Sequence, residues 1–420
     1  MNTDYLTRMT PRCRLFLLDG KKFRTNLLVF FFDLPLQRET ATQTALLAEL
    51  LKHGSENYPT PQALAKRAEE LFGALWDVSV VKKGDRQLLL FSLEVLKAVE
   101  FQDAVDFLRE LLLHPLLEGG AFPAVAVARQ KQILRRRLEG LQDDKKAFAG
   151  KRALEETAEG TAWAISADGY VEDLDAIDGR GLYAFYRKLL EQGRACVFFC
   201  GDRAEKSKLT ALRRDFAGNL PWSARTERDL DKQEPPRFIL EHMDAEQTRL
   251  VMGFCGDIRT AKRQAALAIL HQLLGGDPDS MLFREMREKE GLCYDVKSYL
   301  YPLSPYLFVQ AGIEEKNARK AGKLVLKCLE ERREKPAAAK ELRQAKEALA
   351  RQMEGLADQP WAMVDFFTEQ VLQERPLSSE KFLRDMERVD AEDVQAAAAH
   401  LELAAVYLCS GRGQDDGEID

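Results

Sequence analysis

The stretch Gly73-Ala74-Leu75-Trp76-Asp77-Val78 returns further along the chain as Gly291-Leu292-Cys293-Tyr294-Asp295-Val296. Three more matches follow in the same order. Glu139-Gly140-Leu141-Gln142-Asp143 is echoed by Glu354-Gly355-Leu356-Ala357-Asp358, Ile177-Asp178 by Val389-Asp390, and the apolar run 195–201 by 405–411. The spacing between partners shrinks only slowly from one match to the next. A single match could be chance. Four in order mean a duplicated domain, with a period far too long for a short-repeat solenoid.

Outward from this repeat, each half shows the same succession. An apolar strand comes first (27–32; 249–254), then an apolar helix running up to a glycine (41–53 before Gly54; 261–274 before Gly275). A second helix follows, then a hairpin. In the first half the hairpin strands are 75–81 and 87–95, β-rich runs joined through a Lys-Lys-Gly-Asp turn. Long charged amphipathic helices and a closing apolar strand complete each half. Strands grouped with flanking helices predict an α+β fold rather than alternating βαβ units. The expected architecture is two tandem homologous halves, each an antiparallel-rich sheet packed with helices. A chain of 420 residues exceeds what one core supports. The halves are read as 1–225 and 237–420, joined by a polar linker 226–236 whose Pro235-Pro236 favours extended backbone. Within the first apolar helix, Thr40 and Gln43 fit a capping box, Gly54 suits a C-terminal cap, and Ala45 and Glu49 share one face.

Composition narrows the function. Apolar residues are 45% and charged residues 31%, the balance of a globular chain. A net charge of -6 argues against nucleic acid, whose binding needs a concentrated basic face. Arg135-Arg136-Arg137 and Lys145-Lys146 lie among acids in helical sequence and read as solvated helix faces. The longest apolar stretch, 27–32, is strand-length, so no membrane association is expected. Residues 1–14 are polar and mixed in charge, which predicts no signal peptide. The seven cysteines are scattered and form no CxxC pair, as expected for free buried thiols in the cytoplasm. Five histidines occur, and no two share a helix face, so no local His-His zinc motif exists. Gly275-Gly276-Asp277 lacks phosphate-loop spacing and reads as a loop with an N-cap, while Trp76 reads as core.

Several segments carry a resemblance to a known family. In the first half they are 46–59 and Leu71-Phe72-Gly73-Ala74. In the second they are Leu273-Leu274-Gly275-Gly276, Ser280, Leu282-Phe283, Arg287-Glu288-Lys289 and Gly291-Leu292 with Tyr294. These resemble the insulinase or pitrilysin peptidases over nearly the whole chain. The likeness extends to the mitochondrial processing peptidase subunits and to the zinc-less member of the bacterial insulinase-like pair associated with elongation factor P modification. It implies similar α+β halves facing each other as a clamshell around a peptide chamber.

Active members of that family bind zinc through two histidines on one helix turn and a later glutamate. An intervening glutamate serves as general base. Aligned on Gly54, the resemblance puts Ala45 and Glu49 at the histidine positions, Ala48 at the base position, and the distal ligand position near Gln130. Alanine offers no lone pair and one carboxylate is not a tight zinc site. The chain is therefore expected to hold no metal or other cofactor and to cut no peptide alone. His53 reads as a helix C-terminal residue near the dipole.

In active relatives an arginine and a tyrosine reach towards the bound peptide and its reacting carbonyl. Arg287 and Tyr294 stand at their spacing, and guanidinium and phenol are the donors that a developing oxyanion needs. Residue types alone leave a blander alternative, in which Arg287 pairs with Glu290 or Asp295 and Tyr294 covers the core. The expectation is a zinc-less subunit of a two-chain peptidase. A zinc-containing homologue would be its partner and a peptide its substrate, with Arg287 and Tyr294 contributed in trans. The alternative is a non-catalytic peptide-binding or scaffold protein.

Overall fold

The run Thr25-Asn-Leu-Leu-Val-Phe-Phe-Phe-Asp-Leu-Pro35 shows no alternation of polar and apolar residues, the pattern of a strand covered on both faces. The computed structural model describes residues 6–8, 12–216, 235–243, 247–301, 304–374 and 378–410, and shows where the two covers come from. Of the linker 226–236, residues 226–234 lie outside the described residues.

In chain order the first elements are β1 (Leu6–Arg8), β2 (Cys13–Asp19), β3 (Thr25–Pro35), α1 (Arg38–Leu51), α2 (Pro61–Glu70), β4 (Leu75–Lys83) and β5 (Arg86–Leu96). They are followed by α3 (Phe101–Leu113), α4 (Ala124–Glu139), α5 (Lys145–Thr157), α6 (Gly179–Gln192), β6 (Arg194–Gly201) and α7 (Thr210–Asp215). The second series is β7 (Arg237–His242), β8 (Thr248–Cys255), α8 (Ala261–His271), β9 (Cys293–Leu300) and β10 (Tyr306–Ile313). It closes with α9 (Ala318–Glu334), α10 (Ala339–Leu356), α11 (Pro360–Leu372), α12 (Ser379–Glu387), α13 (Ala391–Ala399) and β11 (Glu402–Ser410).

Two sheets result, ordered β1-β2-β6-β3-β5-β4 and β7-β11-β8-β10-β9. Beyond the short β1 they have one topology. In each, the last strand pairs parallel with the first long one (β6 with β2, β11 with β7), and every other pairing is antiparallel. The α+β class and the duplicated, antiparallel-rich halves are thus as the sequence predicts. Even the opening motif falls at equivalent places. Gly73 (φ 75) and Gly291 (φ 59) each make a left-handed turn into the outermost strand, β4 or β9.

The chain divides into two compact units, each with its own core. One comprises Met1–Gly140, Ile165–Thr226 and Leu356–Leu377; the other Leu141–Ala164, Glu227–Gly355 and Ser378–Asp420. In the first unit, alternate residues of β3 part to opposite faces. Leu28, Phe30 and Phe32 join the core beneath α1, α3 and α6, while Leu27, Val29 and Phe31 join a second core with Met363, Val364, Phe367 and Val371 of α11. That helix belongs by sequence to the second repeat. It is pinned by Lys83, which bonds Asp365 at 2.8 Å and Glu369 at 3.0 Å.

The second unit mirrors this with a helix from the first repeat. Leu250, Met252 and Phe254 of β8 face the core with α8, α9 and α13. The other face is covered by α5: Gln310 donates to the Lys146 carbonyl (2.9 Å) and Arg152 to Glu241 of β7 (2.7 Å). Thr157 of α5 fits only because residue 253 of β8 is glycine; a Cβ there would meet its Oγ1 at 2.0 Å. Each sheet therefore buries both faces, which is why its central strands read as unbroken apolar runs.

Local expectations need correction at three points. Helix α1 starts at Arg38 with Gln37 as its extended N-cap and no side-chain cap, so Thr40 and Gln43 form no capping box. Arg38, ion-paired to Asp173 and Glu172, anchors the first turn instead. Gly54 is not a left-handed cap. It lets the backbone of Tyr58 and Pro59 approach, since a Cβ would stand 2.9 Å from the Pro59 carbonyl carbon. Finally, α8 ends at His271, and Gln272–Gly276 continues as a wider turn.

Candidate functional site

The face of α1 that bears Ala45, Ala48 and Glu49 turns inward: both alanines are buried, and the Glu49 side chain is 14% exposed. Helix α4 packs across it. Gln130 is buried there and meets His53, its Nε2 lying 3.5 Å from Nδ1. Burial, with Arg129 nearby, holds the His53 imidazole below its ordinary pKa. The α4 residue that reaches Glu49 is Arg137, two turns beyond Gln130, whose Nη1 donates to Glu49 Oε1. Its Nη2 lies 3.8 Å from Asp168. At the rim, Lys52 sits 4.0 Å from Glu49 and 3.1 Å from Asp77, the motif aspartate on β4. The reading of Arg135 to Arg137 as a plain solvated face is therefore incomplete: Arg137 is a structural counter-ion, while Arg135 pairs with exposed Asp175.

In the second unit, Phe283–Lys289 is wound as a wide turn, closed by bonds from Glu290 N to the Glu285 carbonyl (3.2 Å) and Leu292 N to the Met286 carbonyl (2.8 Å). Such π-type turns are rare and concentrate at functional sites. Arg287 is exposed on it, the guanidinium lying 4.9 Å over the Phe283 ring. Tyr294, on the outer strand β9, is 64% exposed. It borders a shallow concavity with Gln247, Thr248, Ile313, Glu314 and Glu315.

Neither residue has the bland role that residue types allowed. Glu290 pairs with Lys320 (2.7 Å), and Asp295 with Lys146 (2.6 Å) and Arg249 (2.7 Å). Burial raises the Asp295 carboxyl, but those two cations outweigh it and hold it below the usual range. Among the described residues Arg287 meets no carboxylate, and Tyr294 is largely exposed rather than covering the core. The two form no hydrogen bond or ring contact with each other. The equivalent of Tyr294 in the first unit, Trp76, is half-buried edge-on to Phe107.

A family model for the peptidase M16 inactive domain matches residues 177–349. A Bacillus subtilis protein described as a probable inactive metalloprotease, YmfF, is 26% identical over 400 residues, covering 93% of this chain and 94% of its own. Over most of its length the chain resembles the insulinase, or M16, peptidases, and in particular proteins described as inactive ones. Among solved structures, a conserved protein from Enterococcus faecalis superposes with a TM-score of 0.88 at 26% identity, covering 99% of this chain and all of that one. A peptidase M16 inactive domain from Pseudomonas fluorescens gives 0.80 at 21% identity, covering 99% and 100%, and shares the fold.

As an M16 homologue the chain invites a direct test of whether its residues fit the family's zinc. They do not. Ala45 and Ala48 have no donor atoms, Glu49 is engaged by a guanidinium, and Gln130 faces His53 instead of Glu49. Among the described residues no group of three His, Cys, Asp or Glu side chains could hold a metal. These positions do not form the family's zinc site, in keeping with the likeness to proteins described as inactive M16 peptidases. Sequence reading missed Arg137 because the pairing spans α1 and α4; the available signal was a basic residue on the inward heptad of α4, in line with Gln130.

Proposed function

We propose that this chain is the non-zinc subunit of a heteromeric M16 peptidase, binding peptide and lending Arg287 and Tyr294 to the active site of a zinc-bearing homologue. The observation that carries the proposal is an asymmetry. In the first unit the metal positions are filled by alanines and an ion pair. In the second, an arginine and a tyrosine stand exposed on a π-type turn and an outer strand, with no carboxylate partner among the described residues. Apart from the contact of Arg287 with the Phe283 ring, neither side chain is drawn into the core. Donors so placed could hydrogen-bond a carbonyl oxygen as it gains negative charge. Free thiols at all seven cysteines support a reducing compartment, the cytoplasm. No helix among the described residues is long and apolar enough to cross a membrane.

The test is reconstitution. The purified chain and any HxxEH homologue found in the same genome are assayed singly and together on a peptide library. The expected result is cleavage by the pair only, lowered about 100-fold with Arg287→Ala and sharply reduced with Tyr294→Phe. Full activity of the pair carrying both substitutions would remove the assigned roles.

A second reading is a peptide-binding scaffold without catalysis. It is favoured by Phe72 and Leu75, which are 68% and 70% exposed where β4 begins. An outer strand flanked by apolar side chains can accept an extended peptide as an added strand. Peptide binding by the chain alone, with no cleavage in any reconstitution, would decide for it.

A further inference from the structure

The helix faces that carry zinc in this family are charged here, and the charge is arranged. Glu49 is largely withdrawn from water and is met by a cation from the neighbouring helix α4. The guanidinium faces carboxylates on two sides, Glu49 at Nη1 and Asp168 at Nη2. Lys52 and Asp77 extend the pattern at the rim. A withdrawn carboxylate is stable only with a counter-charge. On the M16 fold that charge would come from the metal, and the ligands it would need are alanines.

We infer that Arg137 has taken the metal's place, tying α1 to α4 as a fixed cation. This rests on the likeness to the M16 peptidases, not on the proposed partner subunit. Loss of the histidines and gain of the arginine are then one compensated change. Restoring the histidines alone would not recover a metal site, because it would remove Glu49 and leave the Arg137 cation without its main partner beside the new ligands. Arginine suits the task better than lysine, since its planar fork can bond Glu49 through one nitrogen while the other faces Asp168 at 3.8 Å.

The substitution Arg137→Glu tests this directly. It leaves three carboxylates facing one another, at residues 49, 137 and 168, an oxygen-rich set suited to Mn2+. After chelator treatment, the variant should melt below the native protein. It should recover by about 3 °C or more with millimolar Mn2+, while the native chain shifts by less than about 1 °C. Electron paramagnetic resonance of the added Mn2+ should show one immobilised ion per variant chain. A variant that melts like the native protein and ignores Mn2+ would overturn the inference.

Should Arg137→Glu fail to fold even with Mn2+, Arg137→Gln and the double variant Arg137→Gln/Glu49→Gln decide the matter. The double variant should melt above the single one, because neutralising Glu49 relieves an uncompensated charge. A double variant no more stable than the single one would show that the pair compensates nothing.

Discussion

Replacing Phe367 by alanine probes the reciprocal exchange of helices. Phe367 lies on α11, is fully buried, and packs in the second core of the first unit with Phe31, Phe198, Val29 and Leu27. An aromatic ring buries about 150–250 Å2, worth about 4–6 kcal/mol at 25 cal/mol per Å2. Measured Phe→Ala losses run at about 3–5 kcal/mol, because the cavity relaxes only in part. The expected cost is therefore about 4 kcal/mol, or about 10 °C in melting temperature for a unit of this size. Trp361 is the internal control. It lies on the same helix but is 43% exposed, its indole N–H 3.3 Å from Glu94, so Trp361→Ala should cost about 1 kcal/mol. Urea unfolding gives the magnitude, and hydrogen exchange read by mass spectrometry gives the location. Protection should fall in β2, β3, β5 and β6 while β8 and β10 stay protected. A loss below about 1 kcal/mol, or equal loosening of both sheets, would refute the claim that α11 belongs to the first unit's core.

Three further outcomes are expected. His271 is buried against Ser298 (Nδ1 to Oγ 2.7 Å), and burial lowers its pKa to about 4. Between the ordinary value near 6.5 and about 4 the unfolded chain binds a proton that the folded one refuses. Its contribution is therefore complete above pH 6.5 and is lost as pH falls towards 4, by about 3 kcal/mol at most. Stability measured against pH for native and His271→Gln should differ in slope across that window; parallel curves would contradict the assignment. Gly253→Ala should cost about 2 kcal/mol through overpacking on Thr157, and Thr157→Ala in the same chain should recover most of it. Additive melting shifts would exclude that contact as the cause. Arg287→Ala and Tyr294→Phe should each leave stability within about 0.5 kcal/mol, as both side chains are exposed. In the reconstituted pair Arg287→Ala should lower kcat about 100-fold. A large loss of stability would instead make these residues structural.

Much of the fold was legible because its signals are local or periodic. The hairpin was visible in β-rich runs around Gly84-Asp85, and the structure closes it there as β4 and β5. Helix ends were less legible. Thr40 and Gly54 looked like caps, but the start of α1 is fixed by Asp173, far along the chain, and Gly54 by a backbone passing close by. The candidate site divided in the same way. Arg287 and Tyr294 could be picked out only by their resemblance to the family's pair, and whether Arg287 meets a carboxylate depends on which cations take Glu290 and Asp295.

By itself, the sequence determined the duplication, the α+β class and the lack of a local His-His zinc motif, since each is a matter of which residue types recur or are missing. Tertiary structure alone decided that α5 and α11 cover the sheets of the opposite repeats, and that Arg137 reaches Glu49. Those facts join residues far apart in the chain. An apolar helix face or a basic residue states what it must bury or neutralise, not against which partner, and that is settled only when the whole chain packs.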